Sequence, residues 1–316
     1  MPARRGGPCY NAGVQKILIV GSGDVARRIL SRLTRHRPRP GIHALLRDPA
    51  KAADWRDAGA RPLLADLDAP GSLARVAGLA DIVLHLAPPP NSGHRDTRTR
   101  ALVAALSKSQ SLPRCLVYVS TTGVYGDCGG AQIDETRRLN PESARAGRRV
   151  DAEQVLRAWG ARNGVPVVVL RAPGIYAADR LPLERLERGV PALNDLDDVF
   201  TNHIHADDLA AACLAALRRP RAGRAYNVVD DSDLKMAAYF DCVADAFGLQ
   251  RPPRLSREDA ARVLSPLQMS FMRESRRIAN ARLKKELGVR LAYPTIAAGI
   301  AAAQAIKHSE GSSCSS

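Results

Sequence analysis

The chain has 316 residues, 45% apolar and 25% charged, with a formal net charge of +15. That length buries one large α/β unit or two closely joined ones, and the composition is that of an ordinary globular chain. No apolar run reaches the ~18 residues of a membrane span, and the N-terminal MPARRGGPCYNAGVQ lacks the apolar stretch of a signal peptide. Of the 47 basic residues, 40 are arginines spread over the whole chain, and aromatics make up only 4%. The charge therefore reads as a solvated, anion-tolerant surface rather than a nucleic-acid-binding face. The six cysteines form no C-x-x-C pair, so they read as reduced thiols of a cytoplasmic protein and provide no metal site.

Residues 1–14 are expected to be a flexible tail. KILIVG then opens the fold as a short apolar, β-branched strand, followed by VARRILSRLTRH at helical spacing. IHALLRD is a second strand, AKAADWRDAGA a short helix and RPLLADL a third strand. GSLARVAGL reads as a helix, ADIVLHLA as a fourth strand, DTRTRALVAALSKS as a helix and RCLVYVST as a fifth strand. A helix over 148–163 precedes VPVVVLRAPGIY, read as one sixth strand. Near-continuous apolar strands alternating with helices predict a doubly wound parallel sheet, the Rossmann type of α/β fold. After residue 176 the rhythm changes. LPLERLERGVPAL is helix then loop, VFTNHIHADDLAAACLAALRR a short strand and helix, and RAYNVVDD a further strand. Asp207 and Asp208 read as caps of that helix. The rest is mostly helical, with proline breaks at 252, 253, 266 and 294. The expected division is a dinucleotide-binding unit over 15–230, a smaller helical substrate lobe over 231–306 that also draws on 177–201, and a second tail over 307–316.

The strongest local motif is KILIVGSGDVARRIL, in which Gly21, Gly23 and Ala26 fit G-x-G-x-x-G/A between a strand and a helix. Gly21 permits a tight turn, Gly23 lets backbone approach a pyrophosphate, and Ala26 lets helix and strand pack closely. The helix start, with Ser22, Asp24 and Val25, presents N–H groups to phosphate. At the end of the second strand an acid selects NAD and an arginine NADP. Arg47 precedes Asp48 there, a mixed signal that favours NADP over NAD. Asp66, followed by Leu67, suits an adenine amino group, and Leu86, Ala87 and Pro88 suit the floor under a cofactor.

These stretches together resemble the extended and atypical short-chain dehydrogenase/reductases, the group containing nucleotide-sugar epimerases and dehydratases. The resemblance spans roughly residues 15–300 and rests on GSGDVA, ADL, LAP, STTGVYGD, the Asn140–Pro141 turn with DAEQVL, LRAPGIY, NHIHADDLA and YNVVDD. It implies a nicotinamide dinucleotide, with Ser120 and Pro173 beside it, and a small hydroxylated or nucleotide-sugar substrate held between sheet and lobe. A homodimer is the default assembly. In the family a Ser or Thr orients the substrate, a tyrosine exchanges its proton, and a lysine four residues on tunes the tyrosine and holds the ribose.

Here the hydroxyl falls at Thr121, but the tyrosine and lysine positions hold Arg145 and Arg149, and no Tyr-x-x-x-Lys occurs in the chain. A guanidinium can clamp an anion or a ribose, as Arg149 could, but cannot exchange a proton near neutral pH. Three alternatives stay open. Another group supplies the proton, with Tyr125, Tyr176, His203 and His205 as candidates. The substrate needs little proton help. Or the protein binds cofactor without turnover, as a sensor or regulator. Arg171, at the end of a buried strand, and His205 are the candidate substrate contacts; Arg171 could equally pair with an internal carboxylate.

Overall fold

A computed structural model describes residues 15–313. The expected N-terminal tail and the last three residues lie outside them. Seven strands form the central sheet: β1 (Lys16–Val20), β2 (Gly41–Leu46), β3 (Arg61–Leu64), β4 (Ile82–His85), β5 (Cys115–Thr121), β6 (Val167–Ala172) and β7 (Ala225–Asn227). Their order is β7-β6-β5-β4-β1-β2-β3, and every pairing is parallel. The order reverses at β1, between β2 and β4. That is the switch point outside whose carboxyl ends a doubly wound sheet binds ligands.

Period-two alternation divides the strand residues between two cores. Ile17 and Ile19 pack with Ile29, Leu30, Leu209 and Leu283, from α1 (Asp24–Leu33) and the helices Ala206–Arg218 and Ala281–Leu287. Leu18 and Val20 pack on the other face with Leu102, Leu156 and Trp159. These come from Thr97–Leu106 and from Ala144–Asn163, whose start is capped by the Ser143 hydroxyl accepting from the Ala146 amide. Each fully buried Leu or Ile contributes roughly 1.5–3 kcal/mol of transfer free energy. A third core joins Tyr176, Leu186, Tyr239, Phe240, Val243, Ile296 and Ile300 in the helical region.

The structure differs from the sequence reading in four places. The sixth strand is two pieces, because Pro173 has no amide to continue the ladder. Gly174–Tyr176 turns away to pair in parallel with His203–His205. The segment read as GSLARVAGL is a 3-10 stretch, Pro70–Val76. Pro266 starts a helix rather than breaking one, since it is the first residue of Pro266–Phe271 behind a Ser265–Gln268 capping box. The final helix, Ile296–Ser313, carries its backbone through residues expected to be a tail.

Candidate active site

The glycine loop follows β1. Gly21 has φ +103°, and a Cβ there would lie 2.6 Å from the Ala87 amide nitrogen, so only glycine lets the loop pass this close to the end of β4. Gly23 is the reverse case: a Cβ there would meet nothing within 4 Å. Gly23 caps α1 with no side chain bonded to the first turn, so the helix N-terminus faces open space. Val25 packs partly buried against the core, and Ser22 belongs to the loop. Asp24, the one acid in that turn, is held by Arg28 at 2.7 Å and by Arg180. The Arg28 pair is an i,i+4 neighbour on the helix, whereas Arg180 arrives from beyond the sixth strand and could not be read from the sequence. This geometry fits a pyrophosphate: a close-approach glycine, an open second glycine and uncapped N–H groups.

At the end of β2, Asp48 accepts the Ala50 amide at 3.0 Å and so caps its own turn. Arg47 is exposed and has no hydrogen bond or ion pair among the described residues. Its neighbour Asp68 is already chelated by Arg98, at 2.8 and 2.6 Å. Asp66 accepts the Asp68 amide at 3.0 Å through one oxygen. Leu67 and Ala87 are buried, Leu86 is partly buried and Pro88 exposed, while the buried Ser120 hydroxyl has no partner.

A cavity of about 570 Å³ opens beyond the carboxyl ends of β5 and β6. Thr121, Arg145, Pro173 and His203 line its sheet side, and Phe240, Phe271, Met272, Glu274 and Arg276 its helical side. The Thr121 oxygen accepts the Gly123 amide at 3.2 Å, leaving its own proton to donate. The His203 ring stacks on Tyr239 with centroids 4.2 Å apart, and its buried Nδ1 has no partner. Burial pushes its pKa down to about 4, so it is neutral at pH 7.

The other sequence candidates do not line this cavity. Tyr125 is buried, donating to Asn227 at 2.7 Å and accepting from Arg171 at 2.8 Å. Tyr176 is buried against the His205 ring, and its hydroxyl reaches the Thr295 carbonyl at 3.4 Å. Burial raises the pKa of both phenols. Arg171 meets the buried Glu153 in a two-pronged pair, at 3.1 and 2.7 Å, so its carboxylate is internal rather than a substrate's. Arg149 is buried and donates to the Tyr118 hydroxyl and to the Val119 and Ala87 carbonyls, so it ties strand ends together instead of reaching into the cavity. His205, not Asp207 or Asp208, caps the helix Ala206–Arg218: its Nδ1 accepts the Asp207 amide at 3.2 Å. Asp207 binds Arg28, and Asp208 accepts the Ala292 and Tyr293 amides.

Sequence reasoning missed Arg185, Glu274, Arg276 and Phe271, which carry no motif and reach the cavity only through the folding of the helical region. It also missed Asp230, buried behind His203. Its amide donates to the His203 carbonyl at 2.8 Å, one carboxylate oxygen has no partner, and burial raises its pKa to about 7.

Fold and glycine loop together define a Rossmann-type dinucleotide-binding architecture. Residues 17–229 match the model of the NAD dependent epimerase/dehydratase family, and the chain belongs to that family. A conserved protein of unknown function from Silicibacter pomeroyi is 32% identical, with a TM-score of 0.77 over 92% of this chain and 99% of that one. The UDP-glucose 4-epimerase of Thermotoga maritima, solved with UDP-glucose, shares the fold at 17% identity, with a TM-score of 0.75 over 93% and 99% of the two chains. Human dTDP-D-glucose 4,6-dehydratase is 24% identical over 138 residues, 41% of this chain and only 39% of that protein. No helix among the described residues is long and apolar enough to cross a membrane, and none of their His, Cys, Asp and Glu side chains cluster as a metal site.

Proposed function

We propose that this chain is an NAD(P)-dependent oxidoreductase or epimerase-like enzyme acting on a small hydroxylated or nucleotide-sugar-type substrate, with NADP preferred. Gly21, Ser22, Gly23 and the start of α1 would hold the pyrophosphate, with Arg47 on a 2′-phosphate and Asp66 on the adenine through its second oxygen. Leu86, Ala87 and Pro88 would floor the site, and Ser120 and Pro173 border its nicotinamide end. When bound, the dinucleotide supplies hydride transfer.

The observation that carries the proposal is the place of the cavity, beside Thr121 at the carboxyl ends of β5 and β6, with a neutral imidazole in its wall. Thr121 donates its free proton to a substrate oxygen and so orients it. His203 has one nitrogen to donate and one to accept, and takes the proton role that Arg145 cannot fill. A second possibility, a non-catalytic NADP-binding sensor, draws on Arg149, which is engaged by three acceptors inside the sheet and so is not a free counterpart of the family lysine.

Fluorescence titration with NADPH and NADH, followed by turnover assays on sugar nucleotides and carbonyl compounds, tests both. Turnover that falls at least tenfold in Thr121→Ala and in His203→Gln supports the enzyme. Binding with no turnover supports the sensor. Failure to bind either dinucleotide ends both.

A further inference from the structure

The cavity has an unusual charge inventory. Three arginines line it, Arg145, Arg185 and Arg276, against a single acid, Glu274. Glu274 is already taken, since it pairs with Arg276 at 2.5 Å, and Arg276 also donates to the Gly126 carbonyl. Arg185 donates to the Pro191 carbonyl and lies over the Phe240 ring, but among the described residues it has no acidic partner and its buried Nε has none of any kind. Arg145 is the extreme case. Among the described residues its guanidinium makes neither a hydrogen bond nor an ion pair.

Arg145 is exposed, so water reaches it, but partial burial and the nearby Arg149 and Arg148 still oppose its charge. It also sits in the first turn of the helix Ala144–Asn163, a turn without any acidic residue, where the helix dipole disfavours a cation. Among the described residues no acid faces this cation, so a ligand anion in the cavity would meet it without competition. Its location says which part of a ligand brings that charge. The next residue, Ala146, packs across Gly123 from Thr121: a Cβ on Gly123 would lie 3.7 Å from the Ala146 Cβ and 3.6 Å from Thr121. The start of the helix that carries Arg145 therefore packs beside the Thr121 turn, and both residues line the same cavity.

We infer that the ligand of this cavity is a hydroxylated carboxylic acid whose carboxylate is received by Arg145 next to the hydroxyl or carbonyl held by Thr121. This rests on the cavity being the substrate site. The planar guanidinium fork matches a carboxylate in two parallel hydrogen bonds, and the helix N-terminus adds to the pull on an anion. Arg185 makes the rest of the cavity favour ligands of net negative charge.

The test is a thermal-shift titration of the full chain with malonate, with its neutral twin malonamide, and with inorganic phosphate. Malonate should raise the melting temperature in a saturable way and malonamide should not. The malonate shift should fall by more than half in Arg145→Gln and return in Arg145→Lys, with the circular dichroism spectrum of each variant showing that it is folded. An equal malonate shift in wild type and Arg145→Gln overturns the proposal, as does no malonate shift in wild type. Phosphate protection equal to or above that of malonate overturns the carboxylate assignment. An NADPH titration of the same wild-type sample separates the two levels: absent dinucleotide binding sinks the cofactor assignment without touching the anion result.

Discussion

The interior between the helix Ala144–Asn163 and the sheet, and the cavity at that helix's start, use the same residue type to opposite ends. Inside, the terminal guanidinium nitrogens of Arg148, Arg149 and Arg171 find acceptors among the described residues, although the Nε atoms of Arg148 and Arg149 do not. Arg171 has Glu153 and the Tyr125 hydroxyl, Arg149 has two carbonyls and a phenol, and Arg148 has the Gly93 and Asn91 carbonyls. At the cavity, the Arg145 guanidinium has no partner and Arg185 no acid among the described residues. A buried charge must be paired or it destabilises the fold, so answered arginines report on architecture. Unanswered ones on a concave surface report on a ligand.

The largest expected effect tests the interior half. Arg171→Met takes both hydrogen bonds from the Glu153 carboxylate, whose side chain is 2% exposed, and leaves it only Arg157 at 3.8 Å. Chemical denaturation should show a loss of about 3–5 kcal/mol. The double variant Arg171→Met with Glu153→Leu should recover most of it, since the pair's net value is small once neither charge is left alone. A double variant as unstable as the single would mean that the pair does more than satisfy itself.

Asp230 strains the comparison, because it is an unanswered group inside. Burial puts its folded pKa at about 7, against 3.8 for an ordinary Asp. Between those values the folded state holds a proton that the unfolded chain releases. Its stabilisation is full below about pH 4 and is lost as pH rises through 7. His203, pushed down from 6.5 to about 4, has the opposite sign: its stabilisation is present above pH 6.5 and lost as pH falls towards 4. The two slopes offset each other in acid. Asp230→Asn should leave only the His203 slope and should be more stable than wild type at pH 8, by on the order of 2–4 kcal/mol. Urea midpoints at pH 5 and pH 8 check this, and unchanged pH dependence would mean that Asp230 is ionised without penalty.

The division between the regions also explains what could be read in advance. The parallel sheet and the glycine loop follow from short-range rules: apolar runs, helix spacing, and a Gly where a tight turn is needed. The cavity is built differently. Thr121 was legible because a strand end places it. The partnering of Arg171 with Glu153, of Arg149 with strand-end carbonyls and of His205 with its own helix depends on which side chains meet across the fold. So does the arrival of Phe271, Glu274 and Arg276 opposite Thr121. Spacing along the chain does not encode those meetings, nor that Tyr125 and Tyr176 are buried away from the cavity.

Arg47 extends the contrast to the cofactor end. It is exposed and unanswered beside an Asp68 already chelated by Arg98. If it meets a 2′-phosphate, Arg47→Ala should weaken NADPH by about tenfold, roughly 1.4 kcal/mol, and leave NADH nearly unchanged. Fluorescence titration reads the ratio. Equal weakening of both would make Arg47 a general surface charge and shift the preference towards NAD.

The smallest effect has the most telling sign. Removing a charge usually costs stability or does nothing, but Arg145 faces Arg148, Arg149 and a helix N-terminus with no compensating acid. Without any anion in the buffer, Arg145→Gln should raise stability by a few tenths of a kcal/mol, scaled from the ~0.3–1 kcal/mol of a terminal charge on a helix and reduced for its partial exposure. The gain should shrink as salt screens the repulsion. In malonate the order should reverse, with wild type the more stable. A variant that is less stable in both buffers would show that Arg145 is answered within the fold after all, and would move it to the same class as Arg149.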